Sequence, residues 1–340
     1  MPASLVHMLI ARKVRQTLLE NQETRQFATD VLQRYRTYME LGSIGPDLPY
    51  YESMAKGALD LLLKRSDKPM GVDQWSYQLH SKDPNLFPLK MLEVSWKETN
   101  MEKEDWEEDD CMKLAFVGGF LTHMAADQII HPMVNIIAGP YYKKGEAREK
   151  HRECEIFQDL YTFGKTGENF GEQKFNQWCD LNPGWGDNTT VQFRYFLQKS
   201  FIEAHAVAPT EGSLEDWVDG TLTILRGLNS FGPYTKALAD LNPESAPYKE
   251  YINFEPPPGI PPERREDYAH LQGKTYDDFY DEAVKLAVVY VQAAWRIYDS
   301  EELDDVVRRK FRKVVRNADL SAPLEKNILG EAQKAMKEWE

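Results

Sequence analysis

Cysteine is scarce in this chain, with three among 340 residues. Cys111, Cys154 and Cys179 form no CxxC pair and are odd in number, which argues against a disulfide framework and for a reducing compartment. No run of 18 apolar residues occurs. The best candidate, 116–130, carries His123 and Asp127, so no transmembrane helix is expected. The opening MPASLVHMLIARKVRQ places its Arg and Lys after a short apolar run and does not read as a signal peptide. These features predict a soluble, cytoplasmic protein. Cations are also in deficit: 41 Lys and Arg face 55 Asp and Glu, a formal net charge of −14. Such a surface repels polynucleotides and anionic membranes unless a local cationic feature, such as bound divalent metal, compensates. Several motifs are missing too. The absence of HExxH argues against a zincin. The absence of a His-Asp dipeptide and of Glu-x-x-His removes the HD-type phosphohydrolase and ferritin-like di-iron patterns. Neither a Walker motif nor GxGxxG occurs.

What is present is helical periodicity. Apolar residues make up 42% and aromatics 12% of the chain, enough for a substantial core. Spacing predicts helices near 4–21, 25–40, 51–65, 110–138, 147–162, 188–206, 276–298, 302–316 and 324–338, with almost no alternating strand pattern. The expected fold is all-α: a single multi-helix domain over 1–340 with a metal cluster in a cleft between helices. Gly118-Gly119 would admit a second helix closely. The acidic run from Glu102 to Asp110 reads as a solvated loop and helix start. Residues 241–264, with NPESAP and EPPPGIPPERR, read as an extended proline-rich strap. Thr275 to Asp278 resembles a capping box that opens a helix apolar almost all round, so the segments at 276–338 should pack onto the main body. The 302–316 helix sets Leu303, Val307, Phe311 and Val314 against Arg308, Arg309, Lys310, Arg312, Lys313 and Arg316. Such a helix can bind anionic lipid, but an ordinary surface helix with an acidic start and a basic end is the simpler reading.

The most informative feature is LTHMAADQIIHP, residues 121–132, with His123, Asp127 and His131 at steps of four. A helix rises about 1.5 Å per residue, so neighbours in this series lie about 6 Å apart on one face. The outer pair, about 12 Å apart, cannot share an ion. The series therefore suits two metal centres, with Asp127 able to serve either. His151 and Glu155 repeat the step on the next helix, which the Gly139-Pro140 break and the Lys/Gly-rich turn after it would fold back antiparallel. Three further residues are candidates. Asp47 follows Gly-Pro in a rigid turn, His80 lies in a polar loop, and His7 shares a helix face with Ile10 and Ala11. Singly, each has an ordinary reading as a turn former, a solvent-exposed side chain and a core-edge histidine.

In order, His7 in VHMLIARKV, Asp47 in GPDLPYY, His80 in QLH, GFLTHMAADQIIHP, and His151 and Glu155 in KHRECE resemble the zinc-dependent phospholipase C family. That family shares its fold with S1/P1-type nucleases. The likeness covers about the first half of the chain and uses five of its seven histidines. It implies one zinc on Asp47, His80, His123 and Asp127, a second on His131, His151 and Glu155, and a third on His7 with the shared Asp127. Mn²⁺ and Fe²⁺ would suit the same nitrogen and oxygen donors. Secreted members bind the third metal through a mature N-terminal Trp. Here that site would be incomplete or completed by water. Tyr50 and Tyr51 are candidates for the headgroup wall.

The resemblance implies that water acidified by metal attacks phosphorus, with Asp47 as general base or with a bridging hydroxide that needs none. The expected substrate is a phospholipid or small phosphodiester. A long nucleic acid is not expected, although an S1/P1-like nuclease is the nearest alternative. A metal-braced scaffold is the alternative outside catalysis. Structural zinc sites are typically rich in cysteine, and none of these ligands is a thiolate.

Overall fold

Apolar faces at helical spacing leave this chain one way to bury them, which is to wrap helices around the most apolar of their number. The computed structural model describes residues 4–52, 74–99, 108–139, 146–181, 190–260, 262–317 and 327–339. Every regular element among the described residues is helical, as the periodicity predicts. We label the α-helices α1 (Ser4–Glu20), α2 (Arg36–Gly42), α3 (Gln74–Ser81), α4 (Leu86–Thr99), α5 (Glu108–Ala138), α6 (Glu146–Gly164), α7 (Val191–His205) and α8 (Glu211–Gly227). There follow α9 (Gly232–Ala239), α10 (Ala246–Tyr251), α11 (Pro262–Ala269), α12 (Tyr276–Tyr298), α13 (Asp305–Val314) and α14 (Ile328–Lys337).

Helix α5 is the axis. Its described side chains are almost all buried, and α1, α2, α4, α6 and α12 pack around it. The 23-residue α12 opens with the expected capping box, in which Asp278 Oδ2 accepts the Thr275 N–H at 2.7 Å. Its length then lies against α5 and α1, and one apolar cluster runs from Leu5 to Met336. Helix α13 seats Phe311 and Val314 against α12 and α14. Asp304 caps its start by accepting the N–H groups of Val306 and Val307. Three of the basic residues on this segment pair with acids, Arg308 with Glu93, Lys313 with Glu338 and Arg316 with Glu331.

Several boundaries differ from expectation. The 25–40 segment is not one α-helix. A short turn at Arg25–Phe27 widens into a π-helix at Ala28–Gln33, and the chain breaks at Tyr35 before α2. The wider turns keep Val31, Leu32, Tyr35, Tyr38 and Met39 all on the core side. The strap is partly helical. Ser245 caps α10, with Pro247 in its first turn, and α11 begins at Pro262, whereas Pro256–Pro258 stay non-helical. Helices α3, α4, α8 and α9 lie outside the expected segments. The expected helix at 51–65 falls at 53–65 outside the described residues. So do 102–107 of the acidic run and 140–145 of the turn before α6.

Helices α2 and α5 approach each other closely, at glycines. A Cβ on Gly119 would lie 2.0 Å from the Met39 carbonyl oxygen, and one on Gly42 would lie 2.1 Å from that of Phe116. A Cβ on Gly118 would meet side chains alone, Leu32 at 3.3 Å and Val291 at 3.9 Å. Backbone cannot yield as a side-chain tip can. Gly119→Ala should therefore destabilise the protein by about 3 kcal/mol or more, and Gly118→Ala by about 1 kcal/mol or less, read as urea midpoints.

Candidate metal centre

The glycine contact has a chemical consequence one turn along α5. It brings the end of α2 close enough for the Ser43 carbonyl to accept the Nδ1–H of His123 at 2.9 Å. His80 Nδ1 likewise donates to the Ser76 carbonyl at 2.7 Å, and His151 Nδ1 to that of Gly139 at 3.4 Å. A carbonyl only accepts, so each Nδ1 carries the proton and each Nε2 presents a lone pair inward.

Asp127 lies where the lone pairs of His80 and His123 converge. Its Oδ2 is 3.1 Å from His123 Nε2 and 3.6 Å from His80 Nε2. Its Oδ1 is 3.3 Å from His131 Nε2 and 3.4 Å from His7 Nε2. Asp47 comes from a 3₁₀ segment, Gly45–Tyr51, and reaches His80 Nε2 at 3.3 Å and His123 Nε2 at 3.9 Å. Gly220 of α8 seats that segment, since a Cβ there would lie 2.2 Å from the Tyr51 carbonyl oxygen. On α6, Glu155 Oε1 lies 3.2 Å from His151 Nε2 and 3.4 Å from His131 Nε2.

All eight candidate ligands are thus brought together, in three adjoining groups that could each hold an ion: Asp47, His80 and His123; His7, His123 and Asp127; His131, His151 and Glu155. His80 is no loop residue. It ends α3, a helix whose Ser76, Leu79 and His80 face inward, so the polar reading of its surroundings fails. His7 and Asp47 are buried too, while His131 keeps 19% of its side chain exposed and marks the open edge. Tyr51 is buried with its hydroxyl 2.7 Å from Ser4 Oγ. Tyr50 is half-buried, with its ring 6.2 Å from that of His80.

The donor set suits a cation. The Nε2 atoms of His80 and His123 face each other at 3.3 Å, and two lone pairs at that distance repel unless positive charge lies between. Asp47 Oδ2, both Asp127 oxygens and Glu155 Oε2 are buried and make no hydrogen bond. Burial opposes the ionised forms of Asp127 and Glu155, yet the imidazoles around them hold both well below the usual carboxylate range. Burial, with help from His123, pushes His7 down to about 3 and keeps it a neutral donor. Against burial, Asp127 and Glu155 raise His131 to about 9.

A thiolate-free cluster of imidazoles and carboxylates in adjoining groups is the architecture of a metal-dependent hydrolase. The family model for zinc-dependent phospholipase C matches residues 6–223, and the chain belongs to that family. It is a zinc-dependent phosphodiester hydrolase of phospholipase C type, an enzyme rather than a braced scaffold. No curated protein and no solved structure matches the chain. The match takes in all eight residues and all but the last turn of α8, and ends before α9–α14. Among the described residues, no helix is long and apolar enough to cross a membrane.

Sequence reasoning missed the orienting carbonyls of Ser43, Ser76 and Gly139, for which side-chain identity carries no signal. It also missed Asp159, for which a signal existed, since 151, 155 and 159 continue the four-residue step. Asp159 is buried with Tyr51, Tyr234, Tyr276 and Glu155 as its titratable surroundings. Burial pushes its carboxyl from 3.8 up to about 7, although Tyr234 and the Val6 and Leu5 N–H groups favour the anion. The folded protein then binds a proton that the unfolded chain has lost between those two values, so this group's contribution to stability declines as pH rises through that window. Asp159→Asn does not titrate. Wild type should therefore lose stability relative to Asp159→Asn between pH 5 and pH 8, read as the difference of urea midpoints.

Proposed function

We propose that the eight residues hold two or three zinc ions around Asp127 and that this cluster hydrolyses a phospholipid or small phosphodiester, not a long polynucleotide. The observation that carries the reading is the division of Asp127. One oxygen faces His80 and His123, and the other faces His131 and His7, so a single carboxylate can serve adjoining ions. Zinc bound there supplies Lewis-acid charge, which acidifies water and offsets the negative charge of a phosphoryl group.

The chain's own residues supply the rest. The Ser43, Ser76 and Gly139 carbonyls hold three rings with Nε2 directed inward, so the donor set is formed before substrate arrives. Asp47 turns Oδ1 toward His80 and leaves Oδ2 without a hydrogen bond, free to accept a proton as general base. Tyr50 stands at the edge, where a headgroup would rest. The open side lies at His131. We read 1–340 as one domain, with α12 packed along α5, α13 and α14 packed on α12, and α9 and α10 packed on α6. We place the protein in the cytoplasm, a reading supported by three buried cysteines that form no disulfide with one another.

Substrate choice follows from charge. A formal net charge of −14 leaves the cluster as the positive feature near the chemistry, which suffices for one phosphate but not for a tracked backbone. Chelation should abolish phosphodiester hydrolysis, and added zinc should restore it. His123→Ala and His131→Ala should inactivate the enzyme without loss of helical content, and Asp47→Asn should slow it by about a hundredfold or more. The deciding assay compares initial rates on phosphatidylcholine vesicles, single-stranded DNA and RNA at equal phosphate. Faster turnover of either nucleic acid, lost in Asp47→Asn, would move the enzyme to the nuclease branch.

A further inference from the structure

Three of the clustered imidazoles are oriented by a backbone carbonyl on Nδ1, but His7 is not. Its Nδ1 is buried and makes no hydrogen bond. Its ring stacks on His123 at a centroid distance of 4.0 Å, and Nε2 reaches Asp127 Oδ1 at 3.4 Å. No hydrogen bond fixes that ring, so its position depends on where the first turn of α1 is held.

Asp159 holds that turn. Its Oδ1 accepts the N–H of Val6, the residue before His7, at 2.7 Å. This is a first-turn donor that has no acceptor within its own helix. Oδ2 accepts the hydroxyl of Tyr234 on α9, which fixes the carboxylate in turn. Asp159 itself stands one helical turn beyond Glu155 on α6, the helix that presents His151. A second tie, Ser4 Oγ to Tyr51 OH, binds the same turn to the segment that carries Asp47. The start of α1 is thus registered directly against α6 and the 3₁₀ segment, two of the elements that supply the other ligands.

We infer that Asp159 is a positioning residue for His7 and, through it, sets occupancy of the centre formed by His7, His123 and Asp127. The inference rests on the metal reading above. It concerns only this centre, because Asp159 makes no hydrogen bond to the groups that orient His80, His123 or His151.

The test reads zinc, not turnover. Full-length protein is loaded with zinc and passed through a desalting column, and bound zinc is measured by elemental analysis and by competition with a chromophoric chelator. Asp159→Ala should retain about one equivalent fewer than wild type, or bind that equivalent roughly tenfold or more weakly, with the remaining zinc unchanged. Asp159→Asn keeps an oxygen to accept the Val6 N–H and should retain the wild-type complement. In a His7→Ala background, Asp159→Ala should change zinc content no further. Should Asp159→Ala not fold, Asp159→Ser, too short to span to Val6, takes its place. Wild-type stoichiometry and affinity in Asp159→Ala would overturn the inference, as would equal losses in Asp159→Ala and Asp159→Asn. So would a further loss in the His7→Ala background. A wild-type protein that binds no zinc would instead contradict the functional reading on which the inference stands.

Discussion

An ionised carboxylate fully buried in the most apolar helix of the molecule is the constraint on which the rest of the structure depends. Leaving such a charge unpaired in a core costs about 3–5 kcal/mol, and Asp127 has no hydrogen bond with which to reduce that cost. The fold answers by bringing imidazoles to it from three helices besides its own residues' turns: His7 on α1, His80 on α3, and His151 through Glu155 and His131 from α6. Imidazoles alone do not complete the answer. Three of them carry their proton on the outward nitrogen, so what they turn toward the carboxylates and toward one another is lone pair. The assembly is compensated when divalent cations occupy it.

This explains why the packing is tightest where it is. Gly42 against Gly119 sets the distance at which the Ser43 carbonyl can orient His123, and Gly220 against Tyr51 seats the turn that presents Asp47. Neither contact touches a ligand atom, yet each fixes a ligand's backbone. Helix α12 works on the opposite side. It lies outside the region that the family model matches, and it packs along α5, with Val291 reaching to 3.9 Å from where a Cβ on Gly118 would sit, so apolar side chains cover that face of the cluster's helix.

How much of this was legible beforehand depended on whether a signal was periodic. The series His123, Asp127, His131 and the pair His151, Glu155 could be read because helical geometry turns a spacing of four into a shared face. The all-α class and α12 were legible for the same reason. His80 was identified as a ligand only by resemblance. Its helix carries Ser, Gln and Tyr among few apolar residues, and the burial of its inner face comes from tertiary packing that no local pattern records. The π-helix at Ala28–Gln33 was hidden because its apolar spacing is close to that of an α-helix. The carbonyls that orient the rings had no sequence signal at all. Asp159 did have one, but with no proposed ion of its own it read as an ordinary acidic residue on α6.

The central claim is that one carboxylate is shared between ions, and zinc stoichiometry tests it directly. Asp127→Asn keeps the size and position of the side chain but lacks the second anionic oxygen. If Asp127 bridges, elemental analysis of the zinc-loaded variant should find a loss that exceeds one equivalent relative to wild type, with helical content retained. A folded Asp127→Asn protein that keeps every equivalent, or gives up just one, would contradict the account.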